Sequence, residues 1–299
     1  MKALIYAILG VLLTLSLGVL LTLSAKAELK PTIIPSTPLT TEPPAVTDAA
    51  IRAQTKKIIA KKIILVGDST VQAHSGWGGT FCANHLIFSV ACVNLARGGR
   101  STFDYRAEGS WDIAISEMKT PGYAKIYVLI QFGHNDQPGR PGRSTDLYKE
   151  YPDNLAHYIT DAQAVGAIPV LVTPLTNRIF KNGSLQDNLE AWAETMRKVA
   201  KQYNVPLVDL HRSSVEAVQA MGARAAIELA QALPPQEVLD AASTGTTIFF
   251  KKMAELQQDS RNIAFDYTHI GEKGAALFSA QVAMELSKAV PDLRKDILP

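Results

Sequence analysis

Five short runs of apolar, largely β-branched residues, at 63–66, 90–95, 126–132, 168–172 and 207–210, constrain this chain more than any other feature. They are continuous rather than alternating, as strands buried on both faces must be. Longer stretches of helical character separate them. The clearest, 186–203, sets Leu189, Trp192, Ala193, Met196, Val199 and Ala200 on one face, a core stripe. Strands and helices in alternation call for a parallel sheet covered by helices on both sides. Gly166, Pro169 and Pro206 punctuate strand starts, where a missing N–H costs least.

The alternation ends after Leu210. Residues 213–259 read as a helical excursion beside the active edge, broken at Pro234-Pro235 and at Ser243-Thr244-Gly245. A last helix over 272–288 closes the domain, which is expected to run over 59–299 without an internal repeat. Ahead of it the material changes. Met1-Lys2, an apolar run over 3–24 and Ala25-Lys26-Ala27 have the layout of a secretory signal peptide. The run is also long enough for a membrane anchor, which needs about 20 apolar residues. Residues 1–27 are therefore expected to be one or the other, and both place the domain outside the cytoplasm: secreted, periplasmic or membrane-anchored. Residues 28–58, with five prolines among threonines and alanines up to Ala49, read as an extended linker.

A formal net charge of +2 and the lack of a long basic run argue against a nucleic-acid partner. The two cysteines, Cys82 and Cys92, permit a disulfide in an oxidising compartment or serve as two small buried side chains.

In an open parallel sheet, chemistry sits just beyond the carboxyl ends of the strands. Four polar clusters fall there: Gly67-Asp68-Ser69, the stretch 94–101 with Gly98-Gly99, the stretch 131–136 with Gly133-His134-Asn135-Asp136, and Asp266-Tyr267-Thr268-His269. Ser69 is the expected nucleophile, placed where a helix should begin. A serine hydroxyl needs a base to take its proton and a carboxylate to orient that base. Asp266 and His269, three residues apart, supply both on one turn. The Ser69 and Gly99 N–H groups and the Asn135 amide are candidate oxyanion donors. Singly, each has a plainer reading: Ser69 as a helix N-cap, Gly98-Gly99 and Asn135 as turn residues, Asp266 and Thr268 as caps. His74 and His211 rival His269 as base, while His85 and His157 fall in helical stretches and read as structural.

Ser69 is not framed by Gly-x-Ser-x-Gly. The sequence also lacks His-Glu-x-x-His, paired Cys-x-x-Cys and a Gly-x-x-x-x-Gly-Lys-Ser/Thr phosphate loop. Gly67-Asp68-Ser69, Gly99, Gly133-His134-Asn135-Asp136 and Asp266–His269 together resemble the SGNH, or GDSL-like, hydrolases over about residues 61–288. Gly67-Asp68-Ser69-Thr70, Gly99-Arg100-Ser101, Phe132 through Asp136 and Asp266-Tyr267-Thr268-His269 look like the rhamnogalacturonan acetylesterase branch. That resemblance implies an α/β fold, a flavodoxin-like three-layer α/β/α sandwich with a five-stranded parallel sheet. It implies removal of acetyl groups from plant-type polysaccharides with no cofactor and no metal. It also implies Ser69 as nucleophile, His269 as base, Asp266 as orienter, and Ser69, Gly99 and Asn135 as oxyanion donors.

Arg97, Arg100, Arg106, Arg140 and Arg143 gather around the second and third clusters. A planar guanidinium suits the carboxylate of a uronic acid, so Arg100, Arg140 and Arg143 are substrate-binding candidates for a pectic substrate. Solvated loop arginines or internal ion pairs are the plainer reading. Three other functions use the same residues: a lipase, lysophospholipase or thioesterase; an acyltransferase; or an anchored polysaccharide-binding protein.

Overall fold

The structure, a computed structural model, describes residues 47–55, 57–249 and 264–299. The signal or anchor expected at 1–27, most of the linker and the end of the helical excursion lie outside the described residues. The chain divides into two compact units at residues 56 and 57. Within the first, α1 (Asp48–Ala53) is a short exposed helix carrying an Asp48–Arg52 pair at 3.4 Å. It stands where the linker was expected to be extended. Among the described residues, no helix is long and apolar enough to cross a membrane.

The second unit is built on a sheet of five parallel strands: β1 (Lys61–Gly67), β2 (Val90–Asn94), β3 (Lys125–Gln131), β4 (Ile168–Val172) and β7 (Leu207–Val208), in the order β2-β1-β3-β4-β7. Ile63 and Leu65 of β1 point into one core with Trp77, Phe81 and Phe278; Ile64 and Val66 point into the other with Tyr105, Trp111 and Tyr158. A β1 buried on both faces explains its unbroken apolar run, each such side chain contributing about 1.5–3 kcal/mol. The first core lies under α2 (Gly78–Asn84), α7 (Leu210–Ala226) and α9 (Glu272–Ala289). The second lies under α4 (Ser110–Met118), α5 (Glu150–Ala164) and α6 (Glu190–Gln202). The remaining helices are α3 (Asp104–Ala107) and α8 (Gln236–Ser243), the latter starting just after Pro235. A small hairpin joins β5 (Phe180–Lys181) to β6 (Ser184–Leu185).

The expected three-layer sandwich is present, and its strand order places the functional residues. From β1 the chain moves to β2 on one side, then crosses back to β3 on the other. The crevice opened by that reversal is where such sheets bind ligands. Strand β4 carries Pro169 inside the sheet, because the two-residue β7 pairs only Leu171 and Val172 and asks nothing of the proline nitrogen. A disulfide joins Cys82 of α2 to Cys92 of β2, deciding between the two readings of the cysteines.

Candidate active site

Gly67 ends β1 beside Gln131 at the end of β3. A Cβ on Gly67 would lie 2.6 Å from the Gln131 carbonyl oxygen, so only glycine lets the two strand ends close. No helix begins at Ser69, contrary to expectation: residues 69–77 are turns and bends, and α2 starts at Gly78. The reason is local. The fully buried Asp68 carboxylate accepts the Thr70 N–H (2.8 Å) and hydroxyl (2.7 Å), a side-chain turn that competes with the helical ladder. Gly76 then packs against the Thr70 carbonyl too closely for any Cβ. Gln131 donates to the Thr70 hydroxyl at 2.6 Å and accepts from the Trp77 indole at 2.9 Å. This buried chain holds the turn and leaves Ser69 partly exposed.

Ser69 Oγ lies 2.8 Å from His269 Nε2, and His269 Nδ1 lies 2.6 Å from Asp266 Oδ2. The other Asp266 oxygen accepts the N–H groups of Thr268 (2.8 Å) and His269 (2.7 Å). Burial pushes the Asp266 carboxyl up, yet the His269 hydrogen bond and charge and these backbone donors outweigh it and hold the group below its usual range. An ionised Asp266 fixes the proton on Nδ1 and leaves Nε2 as the acceptor facing the serine.

The other two clusters converge on this pair. A Cβ on Gly98 would come within 3.6 Å of Ser69 Cβ, and Gly99 takes φ of +77°, which favours glycine. Among the described residues, neither the Ser69 nor the Gly99 N–H has a protein acceptor. Asn135 donates one amide hydrogen to the Arg100 carbonyl at 3.1 Å, which ties the third cluster to the second and leaves its other hydrogen.

The sequence profile of the GDSL-like lipase/acylhydrolase family matches residues 65–276. The chain belongs to that family. As a GDSL-like member it is a carboxylic ester hydrolase. It is 34% identical over 164 residues to the probable rhamnogalacturonan acetylesterase YesY of Bacillus subtilis (strain 168), covering 52% of this chain and 73% of that protein. It is 38% identical over 159 residues to the rhamnogalacturonan acetylesterase RhgT of the same organism, covering 50% of this chain and 64% of RhgT. The crystal structure of the Bacillus subtilis protein YXIM superposes on 77% of this chain and 56% of its own, with a TM-score of 0.54 at 20% identity, and so bears on the fold alone.

Around this GDSL-like centre the arginines separate into two groups. Arg100 donates twice to Glu108, at 2.8 and 3.0 Å, and once to the Gly98 carbonyl at 2.8 Å. Arg97 faces Glu108 at 3.4 Å and Arg106 faces Asp161 at 2.7 Å. These three guanidinium groups have internal carboxylate partners. Arg140 and Arg143 are exposed, and a Cβ on Gly99 would lie 3.1 Å from an Arg143 guanidinium nitrogen.

The rival histidines stand elsewhere. His74 is exposed, and His211 is buried between the Pro174 carbonyl (3.0 Å) and Asp187 (3.0 Å). With Glu190, His211 and Asp187 form a group spaced to hold a cation, but each is already engaged: Asp187 caps α6 and Glu190 pairs with Arg197 at 2.8 Å. His85 bonds Ser279 at 3.1 Å, and His157 is exposed.

Sequence reasoning missed two supports of the site. His134 is buried with its Nδ1 3.5 Å from Asp68 Oδ2. Arg178, fully buried, donates to the carbonyls of Asp266 (3.0 Å), Thr268 (3.2 Å) and His269 (2.8 Å). Arg178 ends the polar stretch Thr173-Pro174-Leu175-Thr176-Asn177-Arg178 just past β4, and the strand-end criterion that selected the other clusters would have found it.

Proposed function

We propose that this chain is a serine esterase that removes O-acetyl groups from a pectic polysaccharide of rhamnogalacturonan type. The observation that carries the reading is the continuous line from Ser69 Oγ through His269 to Asp266, at 2.8 and 2.6 Å. Ser69 Oγ attacks the acetyl carbonyl carbon while His269 Nε2 takes the hydroxyl proton, and Asp266 stabilises the imidazolium. Negative charge gathers on the former carbonyl oxygen, met by the Ser69 and Gly99 N–H groups and the free hydrogen of the Asn135 amide. Collapse breaks the bond to the sugar oxygen, which leaves with the proton from His269. Water, deprotonated by His269, then attacks the acetyl-serine, and the bond to Ser69 Oγ breaks to release acetate as Oγ takes the proton back from His269. The names of YesY and RhgT support the substrate class, and the exposed guanidinium of Arg143 beside Gly99 suits its uronic acid carboxylates.

The test is hydrolysis of p-nitrophenyl acetate against p-nitrophenyl octanoate, with Ser69→Ala as control. Acetate is expected to be strongly preferred, and the variant to lose about three or more orders of magnitude in kcat. A preference for octanoate would turn the reading to a lipid substrate. Turnover that survives Ser69→Ala would remove the serine from it.

The same reading places the enzyme outside the cytoplasm, as a secreted, periplasmic or membrane-attached protein with residues 1–27 as signal or anchor. The layout of that segment and the Cys82–Cys92 disulfide support it. Intact-mass measurement of the protein in cell fractions tests it, and recovery only from the cytoplasm with reduced cysteines would count against it.

A further inference from the structure

The residues Asp266 to His269 are held from beneath by a side chain that touches neither substrate nor nucleophile. Arg178 spans the loop with three guanidinium bonds, to the carbonyls of Asp266, Thr268 and His269, and its own backbone N–H donates to the fourth carbonyl, Tyr267, at 2.9 Å. Its neighbour Asn177 accepts the Thr268 hydroxyl at 2.9 Å. Among the described residues no carboxylate pairs with this guanidinium, although it is fully buried. A buried cation is costly unless its hydrogen bonds are met. Here three carbonyls, all in the catalytic loop, meet the two terminal nitrogens, while Nε has no partner among the described residues. Burial pulls the Arg178 pKa down to about 10 against the Asp266 charge, which raises it, so the side chain is cationic at neutral pH.

We propose that Arg178 is the positioning residue for the Asp266–His269 pair, setting the imidazole at hydrogen-bonding distance from Ser69 by clamping the carbonyls on both sides of the turn. The turn needs such a clamp. Asp266 spends one oxygen on the N–H groups of Thr268 and His269, which closes the turn from its donor side only. The carbonyls face the opposite way and would be unpaired in the interior without Arg178. Loss of the fork frees the turn to tilt, and a misplacement of about 1 Å in a reacting group costs on the order of 100-fold. A guanidinium is suited to this because its donors are fixed in a plane, whereas an ammonium is a compact point charge.

The inference rests on His269 and Asp266 acting as proposed above. It is tested with Arg178→Met and Arg178→Lys, with His269→Ala as a control. The readouts are kcat and KM for p-nitrophenyl acetate and the far-downfield proton NMR signal of the His269–Asp266 hydrogen bond. Arg178→Met is expected to lower kcat by about 100-fold with KM within about twofold, and to lose the downfield signal. Arg178→Lys is expected to keep the signal and to lower kcat by about three- to tenfold. Should the methionine variant fail to fold, the lysine variant decides: a lower kcat at unchanged KM supports the clamp, and parental kcat overturns it. A folded methionine variant with parental kcat and signal also overturns it, while His269→Ala remains inactive. An active His269→Ala would overturn the catalytic reading itself, and the clamp with it.

Discussion

At the scale of single residues, the pair Asp266 and His269 was legible because its geometry is local: three residues on one turn bring carboxylate and imidazole together. Ser69 was legible by its place after an apolar run. The arginines were not separable by type, since Arg100 and Arg143 look alike until their partners are known. Glu108 takes Arg100 out of reach of a substrate, and its own carboxyl is held below the usual range chiefly by that guanidinium. Arg143, exposed beside Gly99, has no carboxylate partner among the described residues. Arg143→Ala is therefore expected to raise KM for acetylated galacturonate-containing oligosaccharides by about tenfold, the worth of one charge-assisted bidentate contact, and to leave p-nitrophenyl acetate hydrolysis unchanged. Equal effects on both substrates would instead make Arg143 a support of the Gly99 turn.

Among the elements, the five strands could be placed from their composition, whereas the boundaries set by side-chain capping could not. The helix expected over 186–203 begins at Glu190, because Asp187 accepts the N–H groups of Leu189 (3.2 Å) and Glu190 (3.0 Å) and stops the chain from coiling earlier. The β5–β6 hairpin went unread although Asn182-Gly183, both at positive φ, is the strongest short hairpin signal; its two-residue strands are too short for periodicity to register. The disulfide is likewise a matter of elements, tying α2 to β2 across a sequence separation of 10. Closing so short a loop is worth about 2–3 kcal/mol in chain entropy. Cys82→Ala with Cys92→Ala is expected to lower stability by that amount in denaturant unfolding while kcat stays within about twofold. The reason is that Asn94, at the end of β2, is fixed independently by its 2.9 Å bond to the Val71 carbonyl. A parallel fall in kcat would mean that the bridge, and not Asn94, holds the second cluster in place.

Over the whole molecule, the buried carboxyls govern how stability responds to pH, and they do not all act in one direction. Burial pushes Asp68, Asp209 and Asp266 up, but His134 and Thr70, Arg197 and Arg212, and His269 respectively outweigh it, so all three lie below their ordinary range. Groups depressed by folding contribute stability that is complete above about pH 5 and is lost as pH falls through 4 and below. Asp136 behaves oppositely. Burial raises it to about 7, against the pull of Thr102 and Thr145 and with the Asp68 charge adding to the rise. A carboxyl raised by folding contributes stability that is complete below about pH 4, its unfolded value, and is gone once pH has risen through its folded value near 7. The two effects together place the stability maximum near pH 5, with a decline toward neutrality led by Asp136 and added to by Glu285, which burial also raises. Asp136→Asn keeps an oxygen to accept from Thr102 and Thr145 but cannot ionise. Its melting temperature is expected to stay nearly level between pH 5 and 7.5, with only the Glu285 contribution left, where that of the parent falls by several degrees, at about 2–4 °C per kcal/mol for a domain of this size. Equal slopes in the two proteins would mean that Asp136 is already ionised in the fold at pH 5. The buried pair Asp68 and Asp136 would then carry two negative charges, and the decline would have to come from another carboxyl raised by burial, Glu285.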